Sequence, residues 1–412
     1  MSQVLVLNTG SSSVKFELFE EGEADLESRA RGIVEGIGEE EGAVTVTVEP
    51  PESSEDAADA ATRHAVAVDR ADGPRTVEDH ATALEIVIEV LDAAGTLTDL
   101  AAIGHRVVHG GEAFRDPTVI TDDVVAQLEE LSPLAPLHNP PALVGIRVGR
   151  RLWPQLPHVA VFDTAFHATM PPEAYRYAVP DEWYREHGVR RFGFHGTSHQ
   201  YVAGRAAAVL GKDLADLRLI TLHLGNGASA AAIDRGRVID TSMGMSPLEG
   251  LVMGTRPGDL DPGVIFHMLR SGLSVEELER EVNRSSGLKG LAGRNDVRAL
   301  RRAAVGGDPA ATLALEVMTR RVRGYIGAYW AHLGGVDAVV FTGGIGEHDA
   351  VTRAEIIEPL AHMGLVLDRV RNESVDLDDG PAVVSAPDSA TAVLVVATAE
   401  ELVIAQSTLA VL

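Results

Sequence analysis

The feature that most constrains the fold is a pattern that occurs twice: an apolar run, a turn of small polar residues, and a second strand-like run. The first copy is LVLNTGSSSVKFELF, residues 5–19, and the second is LITLHLGNGASAAAID, residues 219–234. A simple hairpin needs only two turn residues, and both copies use more. We therefore predict two related halves, each with a turn that binds a ligand.

The rest of the chain alternates strand-like and helical segments, which is typical of an α/β protein. At 412 residues the chain is longer than a single core usually supports, so two domains are expected. Thr76 followed by Asp79 resembles a capping box and predicts a helix that ends near Gly95. A second periodic helix is predicted from Pro309, and Gly334 stops it.

Composition excludes several classes of function. The net charge of −26 argues against a nucleic-acid groove or an anionic membrane surface as partner. The chain has no cysteine, so disulfides and thiolate metal sites are excluded. No apolar run approaches the roughly 20 residues of a membrane span, and no basic leader precedes an apolar stretch. We expect a cytoplasmic protein.

Three turns of small residues directly follow strand-like runs: residues 8–13, 225–229 and 343–347. Glycine lets backbone N–H groups approach an anion, although ordinary tight turns use the same residues. Three such turns in one chain, two of them in the repeated pattern, favour phosphate binding. No GxxxxGK[ST] motif occurs, so a P-loop kinase is disfavoured.

Isolated cationic residues lie among apolar residues and glycines, at Arg106, His138, His195 and Arg256. An arginine fork suits carboxylate or phosphoryl oxygens, but a buried arginine can also serve a structural ion pair, and a histidine can be a satisfied core residue. Asp163 follows an apolar run, and catalysis, metal positioning and pairing with an arginine all remain open for it.

Two common catalytic motifs are absent. His195 and His199 are four residues apart, but without HExxH or cysteine a zinc site is disfavoured. No GxSxG occurs, so a serine hydrolase gains no support.

Longer motifs resemble the acetate kinase family over essentially the whole chain. They are NTGSSSVKF, GHRVVHGGEAF, LAPLHNPP, VFDTAFHATMP, GVRRFGFHGTSHQYV, HLGNGAS, SMGMSPLEGLVMGTRPGDLDPG and VVFTGGIGEH. The resemblance implies two duplicated ribonuclease-H-like lobes, the actin-like ATPase fold, around a central nucleotide cleft. It places the lobes at residues 1–167 and 168–401, with a C-terminal helix at about 402–412 packing on the first.

The resemblance also implies an activity, which is reversible phosphoryl transfer from ATP to acetate, giving acetyl phosphate and ADP. It implies Mg²⁺ as the metal, with Mn²⁺ as an alternative, and a homodimer. Three alternatives stay open: a propionate- or butyrate-preferring acyl kinase, a pyrophosphate-using variant, and a non-catalytic nucleotide-binding module.

Residue roles follow from the same match. The catalytic positions are Asp163, His195 and Arg256. Arg106 matches the acetate-carboxylate position, and the other substrate positions are Val108, Leu137, His138, Phe194 and Pro247. The nucleotide positions are Lys15, His223, Leu224, Gly225, Asn226, Gly227, Asp296, Val297, Arg298, Gly344, Ile345, Gly346, Glu347 and His348. The metal positions are Asn8 and Glu400.

The sequence departs from the family pattern at three positions. Val297 replaces an aromatic residue, and His348 and Ala399 each replace a common asparagine. Each departure puts one local contact in doubt.

Overall fold

The structure is a computed structural model, and it describes residues 2–10, 12–22, 25–38, 43–48, 65–67 and 77–412. The chain divides into two compact units: unit 1 is residues 1–165 with 399–412, and unit 2 is residues 166–398. The boundaries expected from the sequence, after residues 167 and 401, differ from these by two and three residues.

Unit 1 is built on a mixed sheet with helices. Its strands are β1 (Gln3–Thr9), β2 (Ser13–Glu21), β3 (Leu26–Glu35), β4 (Ala43–Val48), β5 (Ala65–Ala67), β6 (Leu100–Val107), β7 (Thr118–Val119) and β8 (His158–Phe162). Its helices are α1 (His80–Ala93), α2 (Asp122–Glu130), α3 (Asn139–Leu152) and α15 (Glu400–Leu409). The described strands lie in the order β5-β4-β3-β2-β1-β6-β8-β7.

Unit 2 has a second mixed sheet and most of the helices. Its strands are β9 (Arg218–Leu224), β10 (Ala228–Asp234), β11 (Arg237–Thr241), β12 (Ala338–Thr342), β13 (Ala382–Val383) and β14 (Ala392–Val395). Its helices are α4 (Pro172–Tyr175), α5 (Asp181–His187), α6 (Gly196–Leu210), α7 (Pro262–Arg270), α8 (Val275–Arg284), α9 (Gly287–Ala292), α10 (Val297–Val305), α11 (Pro309–Leu333), α12 (Gly343–His348), α13 (Ala350–Ile357) and α14 (Arg369–Glu373). The strand order is β11-β10-β9-β12-β14-β13.

The two sheets share one topology over six strands. In unit 1 the order β3-β2-β1-β6-β8-β7 contains an antiparallel hairpin, β1 with β2, whose first strand runs parallel to β6. In unit 2 the antiparallel hairpin β9 with β10 lies parallel to β12 in the same way. Both sheets then add a second parallel strand and an antiparallel edge strand. The internal repeat is confirmed, and it extends well beyond the two hairpins.

The C-terminal helix belongs to unit 1. Ile404 and Ala405 of α15 are fully buried against Val4 and Val6 of β1 and Val161 of β8. Burying such apolar side chains is the main stabilising term for a helix this short. The helix returns the chain end to the first sheet and places Glu400, its first residue, in unit 1.

Two predicted helices have different outcomes. The helix from Pro309 is confirmed: Asp308 caps it, and Gly334 ends it with φ of 67°. The helix predicted to start at Thr76 starts later, because the Asp79 side chain accepts from the Thr82 N–H and is itself the cap. Thr76 lies outside the described residues.

Among the residues that the structure describes, no helix is both long and apolar enough to cross a membrane.

Candidate functional site

In unit 1, two adjacent parallel strands bring Arg106 and Asp163 together. Arg106 lies near the end of β6, and Asp163 directly follows the fully buried strand β8. Arg106 donates through Nε to Oδ1 at 2.9 Å and through Nη2 to Oδ2 at 2.7 Å, a bidentate pair. The same Nη2 lies 3.2 Å from Glu400 Oε2. Arg106 therefore lies beside two carboxylates from separate parts of the chain.

Asp163 and Glu400 determine the charge state of Arg106. Burial alone would lower the pKa of Arg106, but the negative charges of Asp163 and Glu400 raise it above its ordinary value, so the guanidinium stays charged. Its Nη1 makes no hydrogen bond to any residue the structure describes. The Asp163 pair fixes the plane of the guanidinium and leaves Nη1 to donate to a further anion.

The hairpin of unit 1 carries the predicted metal and phosphate positions. Asn8 on β1 pairs directly with Lys15 on β2, so both side chains project from one face of the sheet. Lys15 is exposed, and no ion pair joins it to a described residue. Ser11, in the turn between the strands, lies outside the described residues.

The donor chemistry of unit 1 fits Mg²⁺. Asp163 and Glu400 share one guanidinium nitrogen, so their carboxylates lie close together. Mg²⁺ prefers hard oxygen ligands and usually takes one or two carboxylates, with waters and substrate phosphates completing its shell. The described residues contain no group of three or more acidic, histidine or cysteine side chains suited to a metal ion. The set therefore suits a nucleotide-borne Mg²⁺ rather than a closed protein cage.

The remaining predicted substrate positions of unit 1 follow β6 or precede α3. Val108 is half-buried just after β6, and Leu137 is 40% exposed. His138 is half-buried at the residue before α3.

In unit 2, Arg256 and His195 converge on Gly227. A Cβ at Gly227 would lie 3.0 Å from Arg256 Nη2 and 3.5 Å from His195 Nε2. Arg256 Nη1 donates to the Pro247 carbonyl at 2.8 Å, which holds the guanidinium in place. No carboxylate of a described residue pairs with Arg256, and burial lowers its pKa. A half-buried cation without a counter-charge favours an anionic ligand.

His195 is held in an uncommon backbone conformation. It precedes α6 with φ of 59°, the left-handed region that non-glycine residues seldom adopt. Its ring stacks on His223 at 4.3 Å between centroids, and its Nδ1 lies 2.8 Å from Ser229 Oγ. The preceding Phe194 is buried, and its carbonyl accepts from His167 Nε2 at 2.8 Å. Such local strain, held by surrounding contacts, is common at functional sites.

All three small-residue turns are closed by internal hydrogen bonds. Gly10 N–H donates to the Ser13 carbonyl at 2.8 Å, and Gly225 N–H donates to the Gly227 carbonyl at 3.0 Å. Gly343 N–H donates to the Glu347 side chain at 2.8 Å. These three N–H groups are already used, so an anion at these turns depends on other donors.

The other nucleotide positions of unit 2 occupy different environments. Leu224 and His223 lie at the end of β9, and Asn226 is tied to Gly254 N–H through its carbonyl. Asp296 caps α10 through the Ala299 N–H, and the Arg298 side chain is 86% exposed. The helix α12 contains Gly344, Ile345, Gly346, Glu347 and His348.

The structure shows the local environment of all three departures from the family pattern. The Val297 side chain is 5% exposed and lies in a core cluster with Leu300, so it presents no surface to a nucleotide base. His348 is 76% exposed at the end of α12. Ala399 occupies the cap position of α15 and supplies no side-chain hydrogen bond.

Sequence reasoning missed the residues behind His195. His199 Nε2 lies 2.8 Å from Ser229 Oγ, and His199 Nδ1 lies 2.7 Å from Thr221 Oγ1. Both ring nitrogens of His199 are therefore hydrogen-bonded to hydroxyl groups. The four-residue spacing of His195 and His199 is visible in the sequence, but Ser229, which contacts both rings, lies on the remote strand β10.

The chain is similar to solved structures of an acetate kinase and a propionate kinase. The acetate kinase of Porphyromonas gingivalis is 41% identical, with a TM-score of 0.87 and 100% of both chains covered. A propionate kinase from Francisella tularensis is 39% identical, with a TM-score of 0.89 and 100% of both chains covered. The expected class, two duplicated lobes of the actin-like ATPase fold, is confirmed.

Sequence relatives are about half identical to this chain, which is a higher identity than that of the two solved structures. An acetate kinase of Clavibacter michiganensis is 49% identical over 100% of this chain and 99% of its own length. One from Streptomyces avermitilis is 51% identical over 99% of this chain and 97% of its own length. The model of the acetokinase family matches residues 3–406. The chain belongs to the acetokinase family, and the interpretation as an enzyme rather than a binding module is confirmed.

Proposed function

We propose that this chain catalyses reversible, direct in-line transfer of a phosphoryl group from ATP to acetate. The observation that carries the proposal is the half-buried Arg256, which has no carboxylate partner among the described residues and converges with His195 on Gly227. A phosphoryl group in transfer spreads negative charge over its equatorial oxygens, and preorganised donors stabilise that charge strongly.

The chemistry needs no proton abstraction from the acceptor. Acetate is ionised near neutral pH, because carboxyl groups titrate near pH 4. The barrier comes from bringing one anion in line with another and from holding charge in the transition state. Cationic and N–H donors address both problems, so Arg256 and His195 are assigned to the transferring phosphoryl group.

Unit 1 contributes the acceptor side in this proposal. Arg106 binds the acetate carboxylate through Nη1, while its Nε and Nη2 remain paired with Asp163. Asp163 therefore acts as the group that orients Arg106 and keeps it charged, rather than as a base. The substrate positions Val108, Leu137 and His138 also lie in unit 1, whereas the substrate positions Phe194 and Pro247 lie in unit 2.

Mg²⁺ is assigned to Asn8, Asp163 and Glu400, whose oxygens suit it. When bound, the ion neutralises charge on the nucleotide phosphates. Lys15 and the segments around Gly227, Asp296 and Gly344 are assigned to the nucleotide. The exposed amine of Lys15 supplies a positive charge on the same sheet face as Asn8.

Trapping acyl phosphate with hydroxylamine tests the function. Purified protein receives ATP or pyrophosphate, with acetate, propionate or butyrate in turn, and the acyl hydroxamate is measured. We expect product with ATP, fastest with acetate. Because one methylene changes binding by only about 1–3 kcal/mol, some product with propionate is also expected. No hydroxamate from any pair contradicts the proposal.

Two variants separate the assigned roles. Arg256→Met removes a donor to the transferring group and is expected to lower kcat about 100-fold or more. Asp163→Ala removes the partner that orients Arg106 and is expected to raise KM for acetate as well as lower kcat. Substantial activity in Asp163→Ala contradicts its assigned role.

We also propose that two copies associate through α7. None of its nine residues is buried although five of them are apolar, and Phe266 is 56% exposed. An exposed apolar helix face of this kind is typical of a protein interface. We expect light scattering to show a dimer for the wild type and a larger fraction of monomer for Phe266→Ser. Val305→Ser, at a 91% exposed position on α10, is the control.

A further inference from the structure

A chain of three buried side chains leads away from His195 in unit 2. Ser229 Oγ lies 2.8 Å from His195 Nδ1 and also 2.8 Å from His199 Nε2. His199 Nδ1 lies 2.7 Å from Thr221 Oγ1. Thr221, His199 and Ser229 are each 0% exposed, so water does not complete their hydrogen bonds.

Thr221 sets the direction in which the hydrogen bonds of this series are donated. Its hydroxyl makes no other hydrogen bond to a residue that the structure describes, so its proton has only His199 Nδ1 as acceptor. Reversing this bond would bury an O–H without an acceptor, which disfavours the reversed arrangement about 5- to 150-fold. His199 is fully buried, and burial, with His167 and His223 nearby, holds its pKa well below the ordinary value. His199 is therefore neutral and has one N–H, on Nε2.

The remaining bonds follow in order. His199 Nε2–H donates to Ser229 Oγ, and the Ser229 hydroxyl then donates to His195 Nδ1. We propose that Thr221, His199 and Ser229 are positioning residues that keep the neutral imidazole of His195 with its proton on Nε2, the nitrogen beside Gly227 and Arg256.

The same series of hydrogen bonds opposes protonation of His195 at Nδ1. A proton on Nδ1 must donate to Ser229, which then has to turn its own hydroxyl to His199 Nε2, and His199 must move its proton to Nδ1. That reversal leaves the Thr221 hydroxyl without its acceptor. Charged and titratable groups of the described residues beside the two rings include His223, stacked on His195, Arg256 beside Gly227, and His167, edge-on to His199 at 5.6 Å. Arg256 also opposes a second positive charge.

This inference deepens the proposed function, and its catalytic consequence rests on that function. With the proton on Nε2, His195 is a hydrogen-bond donor on both sides of neutral pH. Its hydrogen bond to a phosphoryl oxygen then does not depend on titration of the ring. The proton arrangement itself does not require any activity.

NMR locates the protons on the histidine ring nitrogens directly. Long-range ¹H–¹⁵N NMR of histidine-labelled protein distinguishes Nδ1–H, Nε2–H and doubly protonated rings. In the wild type at pH 7.5 we expect Nε2–H on both His195 and His199. A proton on Nδ1 of either ring overturns the proposal, and this result needs no variant.

His199→Gln keeps a hydrogen bond to Ser229 but no longer fixes which group donates, because the amide can present either its oxygen or its nitrogen. We expect the titration midpoint of His195 to rise by about one pH unit. His167→Gln is the matched control, since His167 is equally buried and lies outside the chain. It should leave that midpoint within about 0.3 pH units of wild type. Equal midpoints in His199→Gln and wild type contradict the proposal.

The hydroxamate assay on the same samples separates the two questions. If the NMR result holds but wild type makes no hydroxamate, the proposed function fails and the proton chain stands. If wild type is active and His195 carries its proton on Nδ1, the proton chain fails alone. With both intact, kcat/KM of His199→Gln should depend on pH between about 6 and 8, where the wild type is flat.

Discussion

Gly227→Ala places one methyl group at the point where Arg256 and His195 converge. The new Cβ would lie 3.0 Å from Arg256 Nη2 and 3.5 Å from His195 Cε1 and Nε2. The first distance is shorter than an ordinary van der Waals contact of about 3.5–4.0 Å. The guanidinium must therefore move by several tenths of an ångström, and the methyl occupies space that an anion would need.

The expected loss of activity follows from the displaced guanidinium. Loss of one preorganised donor to a charged transition state costs about 2.7–4 kcal/mol, which corresponds to about 100- to 1,000-fold in kcat. We expect kcat/KM for hydroxamate formation to fall at least about 100-fold. Gly227 does not have positive φ, so alanine fits its backbone, and the lower entropy of the unfolded chain adds about 0.4–1 kcal/mol of stability. The stability of the fold should therefore change little.

Steady-state kinetics and urea unfolding check the two halves of this prediction. Gly327→Ala in α11 is the control, because a Cβ there meets no atom within 4 Å. It should keep wild-type activity and gain up to about 1 kcal/mol of stability. Wild-type kcat/KM in Gly227→Ala would refute the assignment of this point to the transferring phosphoryl group.

Three further predictions concern stability, each measured by urea unfolding. Arg353 is 1% exposed and donates to the carbonyls of Gly346, Glu347 and Asn372, so Arg353→Met should lower the free energy of unfolding by about 3 kcal/mol. Arg369 forms an exposed ion pair with Glu358, so Arg369→Met is the control and should leave the unfolding midpoint close to that of the wild type. Burial lowers the pKa of His167 to about 4 from 6.5, so the folded state binds fewer protons and stability is lost as pH falls below about 6.5. The loss from His167 alone is about 2 kcal/mol at pH 5, and a free energy of unfolding that is equal at pH 7.5 and pH 5 contradicts it. Ala399→Asn should add about 1 kcal/mol by capping α15, and no gain would show that the cap geometry does not accept the side chain.

The sequence alone determined the local elements and the repeat. Alternating apolar residues on both sides of a small-residue turn specify a hairpin locally, and both predicted hairpins are confirmed. Asp308 and Gly334 mark the ends of α11 because caps act within a few residues. The predicted start of α1 at Thr76 is wrong, because Thr76 and Asp79 both have cap-type side chains and only the folded structure shows that Asp79 accepts the N–H.

Tertiary structure decided which side chains meet. Arg106 and Asp163 are 57 residues apart and become a bidentate pair because β6 and β8 are parallel neighbours. Ser229 lies within hydrogen-bond distance of both His195 and His199 because α6 packs beside the hairpin β9–β10, and no local pattern encodes that packing. Hydrogen-bond partners and charge states depend on distances of about 3 Å between remote residues, which periodicity and turn chemistry do not specify. The family and the residue types were readable from the sequence, whereas the proton arrangement behind His195 was visible only in the folded chain.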